Sequence, residues 1–414
     1  MKKNIWIWNH YATNMIEDKA GRHYWLAENL ILNEYKPTIF CASTLHNTDD
    51  NIDTEGNIFI QKESENIPFV IVKTPQYSGN GKKRIINMIS FYKNLFPTAK
   101  EYANKYGKPD VILASSVHPL TLVAGIKIAK KFGVPCICEV RDLWPESIVA
   151  YGSLKRNSVI AKILYLGEKW IYKNANSVVM TWEGGKQYII DQGWDKQIDL
   201  NKIKHISNGV IIDSFDKNSQ DHVTIDSDLD DNNFKNLVYA GSIRKVNNLG
   251  LLLDAAKIIQ DYDQRIRFLI YGSGDEKEML KQRCKNEDIG NVIFKGRVEK
   301  KMVPSILKRS YANILHNSST SLDKYGQSQN KFFEYLAAGR AIIQTYTTGY
   351  SILEKYNCGI IASEQNPENV AKTILQACKN DEQAQQMGQN ARKAAYEFDF
   401  KNLTIKLIEV IKNV

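Results

Sequence analysis

Several ionisable side chains lie directly after short apolar runs of the sequence. The run 109–114 leads into two serines, and His118 follows just before Pro119, which can begin a helix. An imidazole at the end of a parallel strand would face a ligand, where it can exchange hydrogen bonds or a proton. A surface histidine bonded to a nearby carbonyl is the alternative, and the position of His118 favours the functional role.

A second set of candidates combines glycine with cations. The apolar run 236–240 ends at Gly241 and Ser242, and Arg244 and Lys245 follow. Two cations at a strand end can meet a diphosphate, and arginine can hold it through two parallel hydrogen bonds. This turn is therefore a candidate diphosphate site. Similar turns end two later runs, at Gly272 and at Gly296-Arg297.

Gly21 lies where a helix would begin, in the segment after the first apolar run, which also contains His10. Its bare backbone could approach a phosphate at the positive end of that helix. A glycine that only permits the turn explains the same position equally well, since one glycine is weaker than a G-x-G-x-x-G fingerprint.

A polar loop that contains a glycine precedes another helical pattern. The loop runs from Gly326 to Asn330, and the helix after it has Lys331 and Glu334 in its first turns. A carboxylate there suits a ribose diol, because it can accept hydrogen bonds from both hydroxyls. Taken alone, the pattern favours the simpler alternative, an acidic residue placed near a helix start by the helix dipole.

Three charged residues, Glu139, Arg141 and Asp142, lie at the end of another apolar run. Charges next to a buried strand are costly unless they are paired or face solvent. These residues could form an internal ion-pair network or bind substrate hydroxyls, and the sequence is compatible with both.

These candidates need a scaffold in which strand ends meet, and the pattern of the chain predicts one. Short apolar runs alternate with amphipathic helical stretches, which implies an α/β fold with parallel sheets and helices on both faces. Such sheets bind ligands at the carboxyl ends of their strands. Helices are clearest at 20–35, 119–131 and 155–174. Strands are expected near 4–9, 37–42, 57–61, 67–73, 109–115, 134–139, 176–181, 202–206, 236–240, 266–271, 291–295, 311–315 and 341–345.

A compositional break separates two halves of similar size. Residues 213–233 are rich in Asp, Asn and Ser, which indicates a solvated linker. An Asp-x-Asp metal site within 226–231 is the less favoured alternative, because no apolar strand frames it. The expected segments are a first Rossmann-like domain at 1–207, a linker at 208–235, a second Rossmann-like domain at 236–398, and a C-terminal helix at 399–414 that packs back on the first domain.

Composition excludes several classes of protein. The 414 residues are 43% hydrophobic and 24% charged, which excludes a disordered or fibrous chain. The net charge of +9 comes without a recognition motif of nucleic-acid-binding proteins. Six scattered cysteines without a C-x-x-C pair disfavour structural zinc and disulfides. Since no apolar run is long enough to span a bilayer, we expect a reduced, cytosolic protein.

Taken together, the motifs resemble the family 4 glycosyltransferases of the GT-B fold over most of the chain. The segments 22–24 (Arg-His-Tyr) and 141–147 (Arg-Asp-Leu-Trp-Pro-Glu-Ser) are similar to the bacterial subgroup that includes N-acetylfucosamine transferases of surface-polysaccharide assembly. The motif at 330–339 is the most specific. The shared motifs are the Gly21 loop, the His118 strand end, Asp-Leu-Trp-Pro-Glu-Ser at 142–147, Asn208-Gly209-Val210 with Asp213, Tyr-Ala-Gly-Ser at 239–242, Gly-Ser-Gly at 272–274, Gly296-Arg297, and Asn-Lys-Phe-Phe-Glu-Tyr-Leu-Ala-Ala-Gly at 330–339.

The resemblance implies two facing Rossmann-like domains with a cleft between them, and a retaining sugar transfer that needs no metal and no cofactor. It also implies the site residues. The catalytic ones would be His118, Lys245 and Arg244, with Lys245 slightly preferred as the bridge to phosphate. The donor would be bound by Gly21, Gly241, Ser242, Gly272, Arg297, Asn330, Lys331 and Glu334. The sugar or acceptor side would include His10, Arg141, Asp142, Gly326, Gln327 and Ser328.

The chain departs from the family pattern at two positions. Ser242 stands where the family usually has an arginine after the strand-end glycine. Gly326 stands eight residues before Glu334, where the family's paired-glutamate motif has its other glutamate. Backbone N–H groups of 327–330 could replace that contact with the donor sugar. The departure therefore leaves the identity of the sugar undetermined but does not change the expected class of reaction.

The resulting hypothesis is transfer of an N-acetylated hexosamine or deoxyhexosamine to a glycan or a polyprenyl-diphosphate-linked acceptor in bacterial capsule or O-antigen synthesis. UDP is expected in the donor because it is the commonest in the resembling family. A sugar-nucleotide epimerase or hydrolase of the same fold, and a non-catalytic nucleotide-sugar-binding subunit, are the alternatives.

A basic and apolar segment of the first half bears on where the protein works. Residues 79–108 contain seven Lys or Arg against one acid, Glu101, interleaved with large apolar residues. The segment could lie on an anionic membrane surface, or it could pack on the first sheet with its lysines in solvent. The resemblance to enzymes with lipid-linked acceptors favours peripheral contact with the inner face of the cytoplasmic membrane.

Overall fold

A computed structural model of the chain describes residues 2–45, 48, 50–77, 79, 81–116 and 118–414. Val117, part of the predicted His118 motif, lies outside these residues. The chain forms two compact units, of which the first comprises Met1–Ser207 and Phe400–Val414 and the second Asn208–Asp399. Both units are α/β, as the alternating sequence pattern predicts.

The first unit is built on an eight-stranded sheet in the spatial order β3-β4-β2-β1-β5-β6-β7-β8. Crossover connections make all pairs parallel except β3 with β4 at one edge. The sequence predicted parallel pairing throughout, which is wrong at this edge. Only Glu65 and Asn66 join these two strands, both with positive φ, and such a two-residue turn closes an antiparallel hairpin. The strands are β1 (Asn4–Trp8), β2 (Lys36–Ala42), β3 (Phe59–Ser64), β4 (Ile67–Val72), β5 (Val111–Ser115), β6 (Cys136–Val140), β7 (Ser177–Met180) and β8 (Ile203–His205).

Helices cover both faces of this sheet, which is why β1 and β5 are unbroken runs of buried residues in their central parts. The helix that the sequence placed within 79–108 extends over 25 residues. The helices are α1 (Met15–Asp18), α2 (Arg22–Leu32), α3 (Lys82–Tyr106), α4 (Pro119–Phe132), α5 (Glu146–Ala150), α6 (Val159–Asn174) and α7 (Gly185–Asp191).

The second unit contains a six-stranded, wholly parallel sheet in the order β11-β10-β9-β12-β13-β14. The sequence analysis missed β14, which has only three residues. The helices are α8 (Ile212–Asp221), α9 (Leu249–Tyr262), α10 (Lys277–Asn286), α11 (Val303–Arg309), α12 (Asn330–Ala338), α13 (Ile352–Tyr356), α14 (Pro367–Lys379) and α15 (Asp381–Ala395). The strands are β9 (Lys235–Ala240), β10 (Ile266–Tyr271), β11 (Val292–Gly296), β12 (Ala312–Leu315), β13 (Ala341–Gln344) and β14 (Gly359–Ile361).

Residues 208–235, for which the sequence predicted a linker, fold as part of the second unit. They contain α8, which packs on α11. Asp226 is buried, accepts a hydrogen bond from the Tyr271 hydroxyl at 2.6 Å, and pairs with the Lys295 amine at 2.6 Å. Most residues of 213–233 are exposed or partly exposed, as composition predicts, but the segment is part of the second unit, and the first carboxylate of the Asp-x-Asp sequence serves in an ion pair within that unit.

The last helix, α16 (Phe400–Lys412), belongs to the first unit, where it packs on α2. The rings of Phe400 and Trp25 lie 4.9 Å apart, centroid to centroid. Among the described residues, no helix combines the length and the apolar character needed to cross a bilayer.

Candidate active site

Two histidines from separate loops meet at the carboxyl end of the first sheet. His10 follows β1 and His118 follows β5, and these two strands are neighbours in the sheet. Both imidazoles are buried, and His10 Nδ1 lies 2.6 Å from His118 Nε2. The His118 candidate from the sequence is therefore part of a buried pair rather than a surface histidine.

The buried amide of Asn87, on α3, determines which nitrogen of each histidine holds the proton. Its Nδ2 donates to the Thr44 hydroxyl at 2.9 Å and to the Pro75 carbonyl at 2.7 Å, so its oxygen faces His10 Nε2 at 2.6 Å. His10 must then donate from Nε2 and accept at Nδ1, which makes His118 Nε2 a donor. His118 Nδ1 is left as a bare acceptor. It is buried and has no hydrogen-bond partner within the described part of the chain.

The electrostatics of His118 favour the neutral ring. Burial, and to a lesser degree the nearby Arg84 guanidinium, lowers the pKa of His118 to about 3. A group with this pKa holds no proton on Nδ1 at neutral pH and is a weak base, so it can accept a hydrogen bond but is a poor general base.

A second chain of polar groups lies at the same edge, around Glu139 at the end of β6. Its carboxylate accepts from Arg22 Nε at 2.8 Å, from His23 Nε2 at 2.7 Å and from the Ser115 hydroxyl at 2.7 Å. Burial opposes ionisation, but Arg22 and His23 outweigh it and hold the pKa of Glu139 well below its usual value. Glu139 is therefore a structural carboxylate, and the ion-pair alternative of the sequence analysis applies to it.

In the part of the chain that the structure describes, Arg141 and Asp142 are not held by a set of side-chain hydrogen bonds like the one around Glu139. Arg141 lies near Arg22, Glu139 and Asp142, and Arg141 Nε is buried without a partner among the described residues. The Asp142 residue is exposed. Gly21 has φ +115° and immediately precedes α2, so the first N–H groups of that helix have no partner within it and favour an anionic ligand.

Two glycines allow backbone segments to approach closely at the carboxyl end of the second sheet. A Cβ on Gly272 would lie 1.8 Å from the Gly241 carbonyl oxygen, and a Cβ on Gly274 would lie 1.9 Å from the Ile243 carbonyl oxygen. The predicted glycine turns after β9 and β10 are thus packed directly against each other. Nearby, the Ser242 hydroxyl lies 2.9 Å from Asn247 Oδ1, which fixes its side chain.

Lys331, near the start of α12, lies beside β9, the strand that leads into the Gly241 turn. Its amine donates to the His316 carbonyl at 2.9 Å and lies 4.7 Å from the centroid of the Tyr239 ring. No carboxylate pairs with it among the described residues, and burial lowers its pKa to about 7. An amine in this state would gain from an anionic ligand, because the ligand would replace the missing counter-charge.

The other predicted cations of the second unit are differently placed. Arg244, Lys245 and Arg297 are exposed. The exposed Lys300, which sequence analysis did not single out, pairs with the Glu334 carboxylate. Of the predicted donor-binding cations, Lys331 is the one that the fold holds in a fixed position.

The polar loop before α12 is largely occupied by contacts within the second unit. Gln327 donates to Gln344 Oε1 at 2.7 Å and accepts from the Tyr346 hydroxyl at 2.9 Å. The Ser328 hydroxyl accepts from the Asn208 N–H at 2.8 Å. Gly326 is buried with φ +99°, and Asn330 is exposed at the helix start. The side chains of Gln327 and Ser328, predicted on the sugar or acceptor side, are thus already bonded.

Sequence analysis missed the roles of the residues that orient the predicted ones. Asn87 and Arg22 are far from their partners along the chain, and although Arg22 belongs to the 22–24 motif, nothing in the sequence links either residue to the group that it bonds. The nearest signal is that an asparagine and an arginine occupy inward positions of amphipathic helical patterns, where an apolar residue is expected.

Comparison with known families covers most of the chain. Residues 24–214 match the model of Glycosyltransferase Family 4, and residues 224–394 match that of Glycosyl transferases group 1. The two matches correspond closely to the two structural units. Among curated proteins, an uncharacterized glycosyltransferase of Methanocaldococcus jannaschii is 24% identical over 241 residues, which cover 56% of this chain and 57% of that protein.

Solved structures of similar fold extend over the whole chain. Sucrose-phosphate synthase of Thermosynechococcus elongatus superposes with a TM-score of 0.73 at 14% identity, covering 100% of this chain and 99% of that one. HepE of Anabaena, in complex with UDP, gives a TM-score of 0.67 at 14% identity and covers 100% of both chains. These are GT-B structures, and their likeness confirms two Rossmann-like domains. With the two matching family models, it shows that the chain belongs to the glycosyltransferases of the GT-B fold.

Proposed function

We propose that the protein transfers a sugar from a nucleotide-diphosphate donor to an acceptor hydroxyl with retention of anomeric configuration. The sugar we expect is an N-acetylated hexosamine or deoxyhexosamine. HepE, which shares the fold, has been crystallised with UDP and with UDP-glucose, and this supports UDP in the donor.

The observation that carries the proposal is the Lys331 amine over the Tyr239 ring, on the strand that leads into the Gly241 turn. The residue is partly exposed, but its amine is desolvated and has no carboxylate partner in the described structure, and the exposed Arg244 and Lys245 follow that turn. This arrangement suits a diphosphate. As the bond from the anomeric carbon to the diphosphate breaks, negative charge grows on the leaving oxygen, and fixed positive charge stabilises it.

His118 would act on the sugar through its bare Nδ1. Since its proton is on Nε2 and its pKa is about 3, the ring can accept a hydrogen bond from a sugar hydroxyl and align the donor. The buried Asn87 and His10 would act through His118 by fixing its tautomer. An aligned donor reacts faster because it has less orientational freedom to lose on reaching the transition state.

We further propose front-face attack. Glu139 is held by Arg22, His23 and Ser115, which leaves it a poor nucleophile. In this mechanism the acceptor oxygen bonds to the anomeric carbon as the carbon–phosphate oxygen bond breaks, and the acceptor proton passes to the departing phosphate. Isolation of a covalent glycosyl-enzyme would rule this out.

A panel of nucleotide sugars tests the donor proposal. A ligand at 100 times its Kd adds about 2.7 kcal/mol to the free energy of unfolding, which a thermal shift detects. We expect a shift with UDP-sugars that is weakened in Lys331→Met and retained in His118→Ala. If no nucleotide sugar shifts the protein, or if Lys331→Met binds as well as wild type, the assignment of this site is wrong.

Turnover separates the three possible functions. A transferase gives a glycosylated acceptor whose anomeric configuration matches the donor, and His118→Ala loses it. An epimerase or hydrolase gives only free or isomerised sugar, and a binding subunit gives no product from any acceptor. Because we propose a metal-independent reaction, EDTA should leave the transfer rate unchanged.

We propose a glycan or polyprenyl-diphosphate-linked acceptor of bacterial surface-polysaccharide synthesis. A lipid-linked acceptor would require contact with the inner face of the cytoplasmic membrane. The basic segment 79–108 supports this, since several of its isoleucines and lysines are exposed.

A further inference from the structure

Helix α6 presents a line of large apolar side chains to solvent. Val159, Ile163, Leu166 and Trp170 are 73%, 61%, 67% and 39% exposed. At 100° per residue these four, here called the α6 stripe, fall within an arc of about 60°. A solvent-facing stripe of this kind on a water-soluble domain indicates a surface that another body covers.

The opposite side of α6 is anchored in the first unit. Ala161, Ile171 and Tyr172 are buried there, and Glu168 accepts hydrogen bonds from the Tyr172 and Tyr188 hydroxyls, both at 2.8 Å. The helix is therefore apolar on two sides, and its fixed side ensures that the α6 stripe cannot turn inward. Sequence periodicity alone did not separate the two sides, because both contribute apolar residues.

Lysines accompany the stripe. Lys162, Lys169 and Lys173 fall on the arc next to it. Helix α4 packs against both α6 and α3, so the three helices form one continuous face. Together they contain twelve Lys or Arg and two Glu, of which Glu168 is buried. Their net charge of +10 exceeds the +9 of the whole chain.

We propose that the face formed by α3, α4 and α6 docks on a bilayer that contains anionic lipids, with the α6 stripe inserted among the headgroups. Apolar side chains beside lysines, with a single exposed carboxylate over the three helices, match such an interface in both charge and polarity. A symmetric contact with a second copy would instead bring lysines against lysines. The inference names the partner surface that the proposed lipid-linked acceptor requires, and it rests on that proposed function for its biological role only.

Sedimentation with vesicles tests the proposal without any need for turnover. We expect the full chain to bind vesicles of phosphatidylcholine with 30% phosphatidylglycerol, and to bind pure phosphatidylcholine far more weakly. Each lysine near an anionic surface contributes about fivefold in affinity, so Lys162→Gln, Lys169→Gln and Lys173→Gln together should lower it ~100-fold. Ile163→Gln with Leu166→Gln should also lower it, and should remove the binding that remains at high salt.

Matched controls distinguish the effect of this face from a general effect of removing charge or exposed apolar side chains. Lys372→Gln, Lys379→Gln and Lys393→Gln remove the same charge from exposed positions of the second unit, and Leu32→Gln with Met279→Gln removes two other exposed apolar side chains. Equal losses in the controls, no vesicle binding by wild type, or a concentration-dependent dimer abolished by Ile163→Gln would each overturn the proposal. An unchanged UDP-sugar thermal shift in every variant would show that donor binding does not depend on membrane binding, so each proposal can fail without the other.

Discussion

Replacing Asn87 by leucine should impair sugar transfer although Asn87 is proposed to contact no substrate. Its amide makes three hydrogen bonds, to His10, Thr44 and Pro75. Leucine has a similar volume but offers neither donor nor acceptor. Without the amide oxygen, no acceptor favours the proton on His10 Nε2. Both rings of the His10–His118 pair can then change tautomer together.

This joint change of tautomer alters what His118 presents. With His10 donating from Nδ1, His118 Nε2 becomes the acceptor and Nδ1 holds the proton, so a sugar hydroxyl loses its acceptor. Loss of one such hydrogen bond costs about 1–3 kcal/mol, or ~5-fold to ~150-fold in kcat/KM. Three buried hydrogen bonds at about 1 kcal/mol each predict a loss of ~3 kcal/mol in the free energy of unfolding.

Steady-state kinetics and histidine NMR check both parts of this prediction. Asn94→Leu is the matched control, because Asn94 is on the same helix and, within the described part of the chain, its side chain donates only to the Lys73 carbonyl, at 2.7 Å. In ¹⁵N spectra, wild-type His118 should show protonated Nε2 and bare Nδ1, and Asn87→Leu should show the two forms mixed. If Asn87→Leu has the kcat/KM of Asn94→Leu, or if its His118 tautomer is unchanged, the reasoning is refuted.

Three further changes test other parts of the structure. The pKa of Lys331 is about 7, and a bound anion raises it, so binding of UDP at pH 8 should take up close to one proton. Calorimetry in buffers of different ionisation enthalpy measures this uptake, and Lys331→Met should abolish it. Burial raises the pKa of Glu168 from 4.5 to about 8, so the stability that the protonated carboxyl provides is complete below pH ~4.5 and is lost as the pH rises to 8. In urea unfolding, Glu168→Gln should remove about 3–6 kcal/mol from the pH dependence of the free energy of unfolding. Gly272→Ala should destabilise by about 1–3 kcal/mol and weaken the UDP thermal shift, whereas Gly290→Ala, whose Cβ would meet nothing closer than 3.6 Å, should do neither.

The order of elements could be predicted from the sequence because each signal is local. Strands buried on both faces, such as β1, appear as unbroken apolar runs, and the residues after them fall at the carboxyl edge. This is why His118 and Gly241 were identified correctly as strand-end residues. A strand was predicted near β3, but its antiparallel direction was missed because the hairpin depends on positive φ at Glu65 and Asn66, which is uncommon for residues other than glycine.

The segment 208–235 shows where composition misleads. Its acidic and amide residues are typical of solvated linkers, yet Asp226 is buried against Tyr271 and Lys295. Those partners are 45 and 69 residues away along the chain. A charge whose counter-charge is that distant cannot be distinguished from a solvated one until the fold brings the pair together.

The same limit explains the outcome for the cations of the second unit. Arg244 and Lys245 follow a strand-end glycine, and this local signal made them the favoured diphosphate ligands, whereas Lys331 looked like one polar residue of a helix start. The structure leaves the first two exposed, whereas the third is partly exposed and its desolvated amine lies over the Tyr239 ring. Burial matters here because a cation in water gains little from one more anion, while a desolvated amine without a counter-charge gains much more. If diphosphate binding depends on how poorly each cation is already solvated and paired, Lys331 should contribute more to donor affinity than Arg244 or Lys245, although all three have the same formal charge.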